Sequence, residues 1–92
     1  MIEQEKRIIT PQEADWRFQE LRLVPDVNVS HAHQITPQWL EGYNTQCIKQ
    51  IEAARRENPR EGKAVEAMLR ERQRHVARLC GIIFAARKEA AR

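Results

Sequence analysis

His31-Ala32-His33 is the one cluster in this chain with metal-ligand character. In an extended backbone, residues two apart point the same way, so both imidazoles can share a face. Zinc asks for more, four ligands in a structural site and three in a catalytic one. No cysteine or carboxylate stands at a suitable spacing near the pair, and His75 lies far along the chain. The pair reads first as a helix-capping or partner contact, pH-sensitive because histidine titrates near neutrality. No metal and no cofactor is expected.

Catalytic patterns are equally thin. The chain has no Gly-rich phosphate loop and no Ser-His-Asp or Cys-His arrangement in a known context. Paired carboxylates in an apolar setting are absent. A thin helical protein also offers little concave volume for a substrate. The expectation is a protein that is not an enzyme. Cys47 and Cys80 sit in apolar helical stretches, too far out of register in a hairpin for the ~7 Å Cα separation a disulfide tolerates. They read as reduced core thiols of a cytoplasmic protein.

Charge is the stronger signal. Formal charge is +3, unevenly spread: residues 1–46 hold 4 basic and 7 acidic side chains, residues 47–92 hold 12 and 6. At ~100° per residue, Lys63, Arg70, Arg74, Arg78 and Lys88 fall on one side of a helix, opposite its apolar stripe, with Arg60 and Arg92 nearby. Such a row can meet an acidic protein surface or nucleic-acid phosphates, or simply keep a helix face solvated. It carries no aromatic residue for base stacking. Trp39 and Tyr43, four residues apart, can pack in the core or anchor an interface. Asn44 and Arg72 lie within apolar stripes on two different helices. A facing polar pair there would fix the helix register.

These residues are carried by helices with clear starts. Thr10-Pro11, Thr36-Pro37 and Asn58-Pro59 each set a capping residue before a proline suited to the first helical position. The first helix is expected over about 11–23, ended by Pro25. Leu40, Tyr43, Cys47, Ile51 and Ala54 recur every three or four residues and mark a helix over about 37–57. Val65, Leu69, Val76, Leu79, Ile83 and Ala86 mark another over about 59–90. Residues 24–35 read as an ordered loop in which Val27 and Val29 alternate with polar neighbours. The fold expected is all-α: one domain, residues 1–92, with a long antiparallel helical hairpin, a short N-terminal helix and a loop packed on it.

The last helix is longer than its partner, so its final turns, with Ile82, Ile83 and Phe84, overhang the hairpin. Leaving each large side chain wet would forfeit ~1.5–3 kcal/mol. The N-terminal helix and valine loop can cover the tip, or a second copy of the chain can. Gly81 suggests a close approach of another helix there. No apolar run approaches the ~18 residues of a membrane span, and Met1–Arg7 lacks an apolar signal core. Together these features suggest a helical interaction module, an accessory or inhibitor bound to a larger assembly and itself a homo-oligomer. Trp39, Tyr43, Ile82, Ile83 and Phe84 are its expected anchors. Compact accessory proteins of bacteria and phages share this loop-poor design, by analogy of architecture only. The alternative is a nucleic-acid-binding protein using the same basic row.

Overall fold

The computed structural model describes residues 10–91. The reading of the first seven residues, and Arg92 beside the basic row, lie outside it. Three helices carry the chain: α1 (Pro11–Arg22), α2 (Pro37–Glu57) and α3 (Pro59–Ala90). Each start is made as the sequence suggests. The Thr10 hydroxyl accepts from Glu13 N–H at 3.2 Å, and the Thr36 hydroxyl accepts from Trp39 N–H at 3.0 Å. Asn58 Oδ1 accepts from Arg60 and Glu61 N–H at 3.1 and 3.3 Å. Each bond satisfies an otherwise orphaned donor of the first helical turn.

α3, 32 residues and therefore ~48 Å long, is the spine. α2 folds back along its first two thirds after the turn at Asn58. Arg55 of α2 pairs with Glu66 of α3 at 2.9 Å, and Gln73 Nε2 donates to Asn44 Oδ1 at 3.3 Å. Close to the turn, Gly62 is buried against α2. A Cβ built there would lie 2.8 Å from Arg55 Cα, so only glycine lets the two helices leave the turn this tightly. The close approach belongs to Gly62 and not to Gly81, around which a Cβ would meet open space.

α1 also runs antiparallel to α3, along its second half. Thr10, Pro11 and Ala14 line a groove with Ile83, Ala86 and Ala90, while Glu20 reaches His75 at 3.7 Å. Phe18 and Leu21 turn inward, and Ile83 and Cys80 are buried beneath them and the loop. The overhang of α3 is thus covered by the chain's own α1 and flanked by the loop at Ala32 and Ile35, while Val27, Val29 and Ile35 join the same core. Among the described residues the core runs without interruption from Ile51 to Phe18.

The loop is more structured than its composition implied. Val27 N–H donates to Val24 O at 3.2 Å across Pro25 and Asp26. Proline in second place and a positive φ of 69° at Asp26 in third are the marks of a type II turn. Aspartate tolerates that left-handed conformation better than most residues. A 3₁₀ turn, Ala32–Gln34, follows. Gln34 Oε1 accepts from the N–H groups of Ser30 and His31 at 2.7 and 2.9 Å, tying the loop to itself.

Candidate functional site

The outward face of α3 carries a row of basic side chains. Lys63, Arg70, Arg74, Arg78 and Lys88 are all exposed on it, over ~38 Å from first to last at 1.5 Å per residue. Part of the charge is compensated locally. Arg70 lies 3.6 Å from Glu66, which it shares with Arg55, and Arg74 bonds Glu71. Lys63, Arg78 and Lys88 have no acidic partner among the described residues. The uncompensated charge of the row therefore rests on these three.

Next to the row, where α3 passes the start of α2, a shallow groove of about 430 Å³ is lined by Pro37, Gly81, Phe84, Ala85, Arg87 and Lys88. The bare Gly81 forms part of its floor, and the half-buried Phe84 ring lies 5.7 Å from the Arg87 guanidinium. The structure therefore joins two features named from sequence, the end of the basic row and Phe84. Ile82 is half-buried as well.

Other expected anchors went inside. Tyr43 and Ile83 are core residues, and a partner cannot use them without opening the fold. Trp39 is half-buried, its ring stacked on Tyr43 with centroids 5.5 Å apart and planes 17° apart. The Tyr43 hydroxyl lies beside the Cys47 thiol and Arg72, but no neighbour accepts or donates a hydrogen bond of good geometry. Burial pushes its pKa up to about 12, reinforced by Cys47 and opposed by Arg72. Burial also raises the two free thiols, Cys47 and, to about 11, Cys80. Neither is poised as a nucleophile, since the thiolate is the reactive form.

The polar pair expected between Asn44 and Arg72 is not formed. Asn44 is met by Gln73, one residue further along α3, and both are half-buried. Arg72 turns to the loop instead, 3.5 Å from Asp26 Oδ2, with Met68 Sδ at 3.2 Å from its other nitrogen. Asp26 also borders a groove of about 470 Å³ with Asn28, Trp39, Gly42, Tyr43, Gln46 and Gln50. Its lining carries one carboxylate and three carboxamides, groups that hydrogen-bond but do not form an acid–base pair.

His31 and His33 stack with ring centroids 5.5 Å apart and planes 9° apart. The rings lie stacked, not converging on a common point. Among the described residues no three histidine, cysteine or carboxylate groups gather to hold a metal. No described helix is long and apolar enough to cross a membrane.

One contact was not legible in the sequence. Arg87 donates to the main-chain oxygens of Ala32 and Ile35, clamping the loop to α3. Trp16 is 70% exposed and Leu23 is 84% exposed. The helical period carried the signal for this pair, since Trp16 falls off the Phe18–Leu21 stripe. No protein-family model, no curated protein and no solved structure matches this chain.

Proposed function

We propose that this protein is a non-enzymatic helical interaction module, an accessory or inhibitor that docks on an acidic surface of a larger assembly. The observation that carries the reading is the exposed row Lys63, Arg70, Arg74, Arg78 and Lys88, which ends beside the Gly81–Phe84 groove. Buried apolar contact gives affinity and charge gives orientation and rate. Here the groove supplies the first and the row supplies the second. The covered core gives a stiff scaffold, so little ordering is needed on docking.

The test is capture from the native host followed by reconstitution with the purified partner. Replacing Arg70, Arg74 and Arg78 together by Glu should weaken the reconstituted complex by more than ~100-fold, since close charge pairs at an interface are worth ~1.5 kcal/mol or more each. A complex indifferent to the triple change would overturn the reading.

Lys63, Arg78 and Lys88, which form no ion pair among the described residues, favour one second reading, contact with nucleic-acid phosphates. It predicts binding to generic duplex DNA or RNA with a steep fall as salt rises, a log–log slope near −0.9 per phosphate contacted for duplex DNA. No binding at low salt removes it.

A further inference from the structure

We infer that the outward face of α1 is a self-complementary seam, on which a second copy of this chain docks antiparallel. The inference is independent of the role of the basic row.

Trp16 and Leu23 are the two most exposed large apolar side chains among the described residues. They lie seven residues apart, so ~10.5 Å along the helix and about 20° apart around it. Both therefore sit on one flank of the outward face. Asp15 and Arg22, again seven apart and both exposed, sit on the other flank. Gln19 lies between the flanks, midway along.

A two-fold axis beside Gln19, perpendicular to the helix, turns this arrangement onto itself. Across it each flank meets its own kind, run in reverse. Trp16 then faces Leu23 of the second copy, and Leu23 faces its Trp16. On the other flank Asp15 faces Arg22 of the second copy, and Arg22 faces its Asp15. Gln19 meets Gln19 at the axis. Every contact is made twice, as an isologous interface requires, and each carboxylate is matched by a guanidinium. A parallel or one-step-shifted pairing matches neither flank.

Area sets the strength. A 12-residue helix is ~18 Å long, which limits the seam to the small end of specific interfaces, below ~1,200 Å² in total. An interface of that size belongs with weak, transient contacts, so its dissociation constant is expected above the low micromolar range. The dimer forms only in concentrated solution or when a partner gathers two copies.

The test is sedimentation equilibrium on the full chain from about 5 μM to about 0.5 mM, a range that runs upward from the low micromolar. The expected result is a reversible monomer–dimer equilibrium. Trp16→Ala and Leu23→Ala should each weaken it more than ~10-fold, the usual scale for truncating an interface anchor. Their melting curves should not change, because neither side chain is packed in the monomer. The charge flank gives the decisive arm. Asp15→Arg alone and Arg22→Asp alone should each weaken the dimer, and the double exchange should restore it. Within one copy the two residues are too far apart to pair, so restoration reports contact between copies. A chain that stays monomeric throughout overturns the seam, leaving Trp16 for a different protein. So does a dimer indifferent to Trp16→Ala, or a double exchange that fails to restore association.

Discussion

Arg87, near the end of α3, donates guanidinium N–H bonds to the carbonyl oxygen of Ile35, 52 residues away in sequence, and to that of Ala32. Ala32 opens the 3₁₀ turn and Ile35 closes it, so the one side chain ties both ends of that turn to α3. The contact fixes the loop that delivers Val27, Val29 and Ile35 to the core.

Replacing Arg87 by Ala should therefore lower stability by ~1–2 kcal/mol, the usual scale for losing charge-assisted bonds, reduced because Arg87 is partly solvated. Arg87→Lys should recover little, since an ammonium lacks the planar fork that serves two carbonyls at once. Urea midpoints measure both. An unchanged midpoint for Arg87→Ala would mean that the loop is held by its valines alone.

The two helix-interior glycines of α3 should respond with opposite signs. Gly62→Ala forces a Cβ to 2.8 Å from the Arg55 backbone, and overpacking of that kind costs ~1–3 kcal/mol. Gly81→Ala meets nothing and should gain up to ~1 kcal/mol from helix propensity. Thermal melts of the pair check the hairpin geometry directly.

Ile83→Asp should unfold the monomer rather than dissociate an assembly. Ile83 is buried under α1 and the loop, and an unpaired carboxylate there costs several kcal/mol, comparable to the whole stability of a small domain. The helical signal in circular dichroism should be largely lost. A folded variant that merely changed oligomeric state would put Ile83 in an interface instead.

Stability should fall as pH rises from about 9 toward 12. Cys80 and Tyr43 have folded pKa values raised to about 11 and about 12, above their ordinary 9.0 and 10.0. The unfolded chain therefore releases these protons first, and the folded state loses ground as alkali is added. The contribution is complete at neutral pH and is lost through that window. Both thiols should resist a disulfide reagent at pH 8 until the chain unfolds. Tyr43→Phe should be neutral or stabilising by up to ~1 kcal/mol, because it removes a buried hydroxyl that has no hydrogen bond. It should also shorten the alkaline fall at its upper end. A clear loss of stability would reveal a partner for that hydroxyl.

The hairpin was legible because its signals are local. Thr36-Pro37 and Asn58-Pro59 start α2 and α3 where the structure has them, since a cap involves residues two or three apart. The apolar stripes gave the inward faces for the same reason. The partner of Asn44 was read one residue out, as Arg72 in place of Gln73. Helix pairing is set by how tightly the chain turns, and that depends on the contact between Gly62 and Arg55. The need to cover Ile83 could be argued from helix lengths alone. The choice between the two covers named from sequence, α1 with the loop or a second copy, could not, because it rests on the type II turn at Pro25-Asp26 and the loop clamped by Arg87.

Along the chain, then, spacing and capping chemistry were enough to give three helices, their inward faces and the basic row from Lys63 to Lys88. Only packing between distant segments decided that Tyr43 and Ile83 are core and not interface anchors, and that Arg72 serves Asp26. Helical periodicity is a property of neighbours a turn apart. Burial depends on which faces of the whole molecule meet.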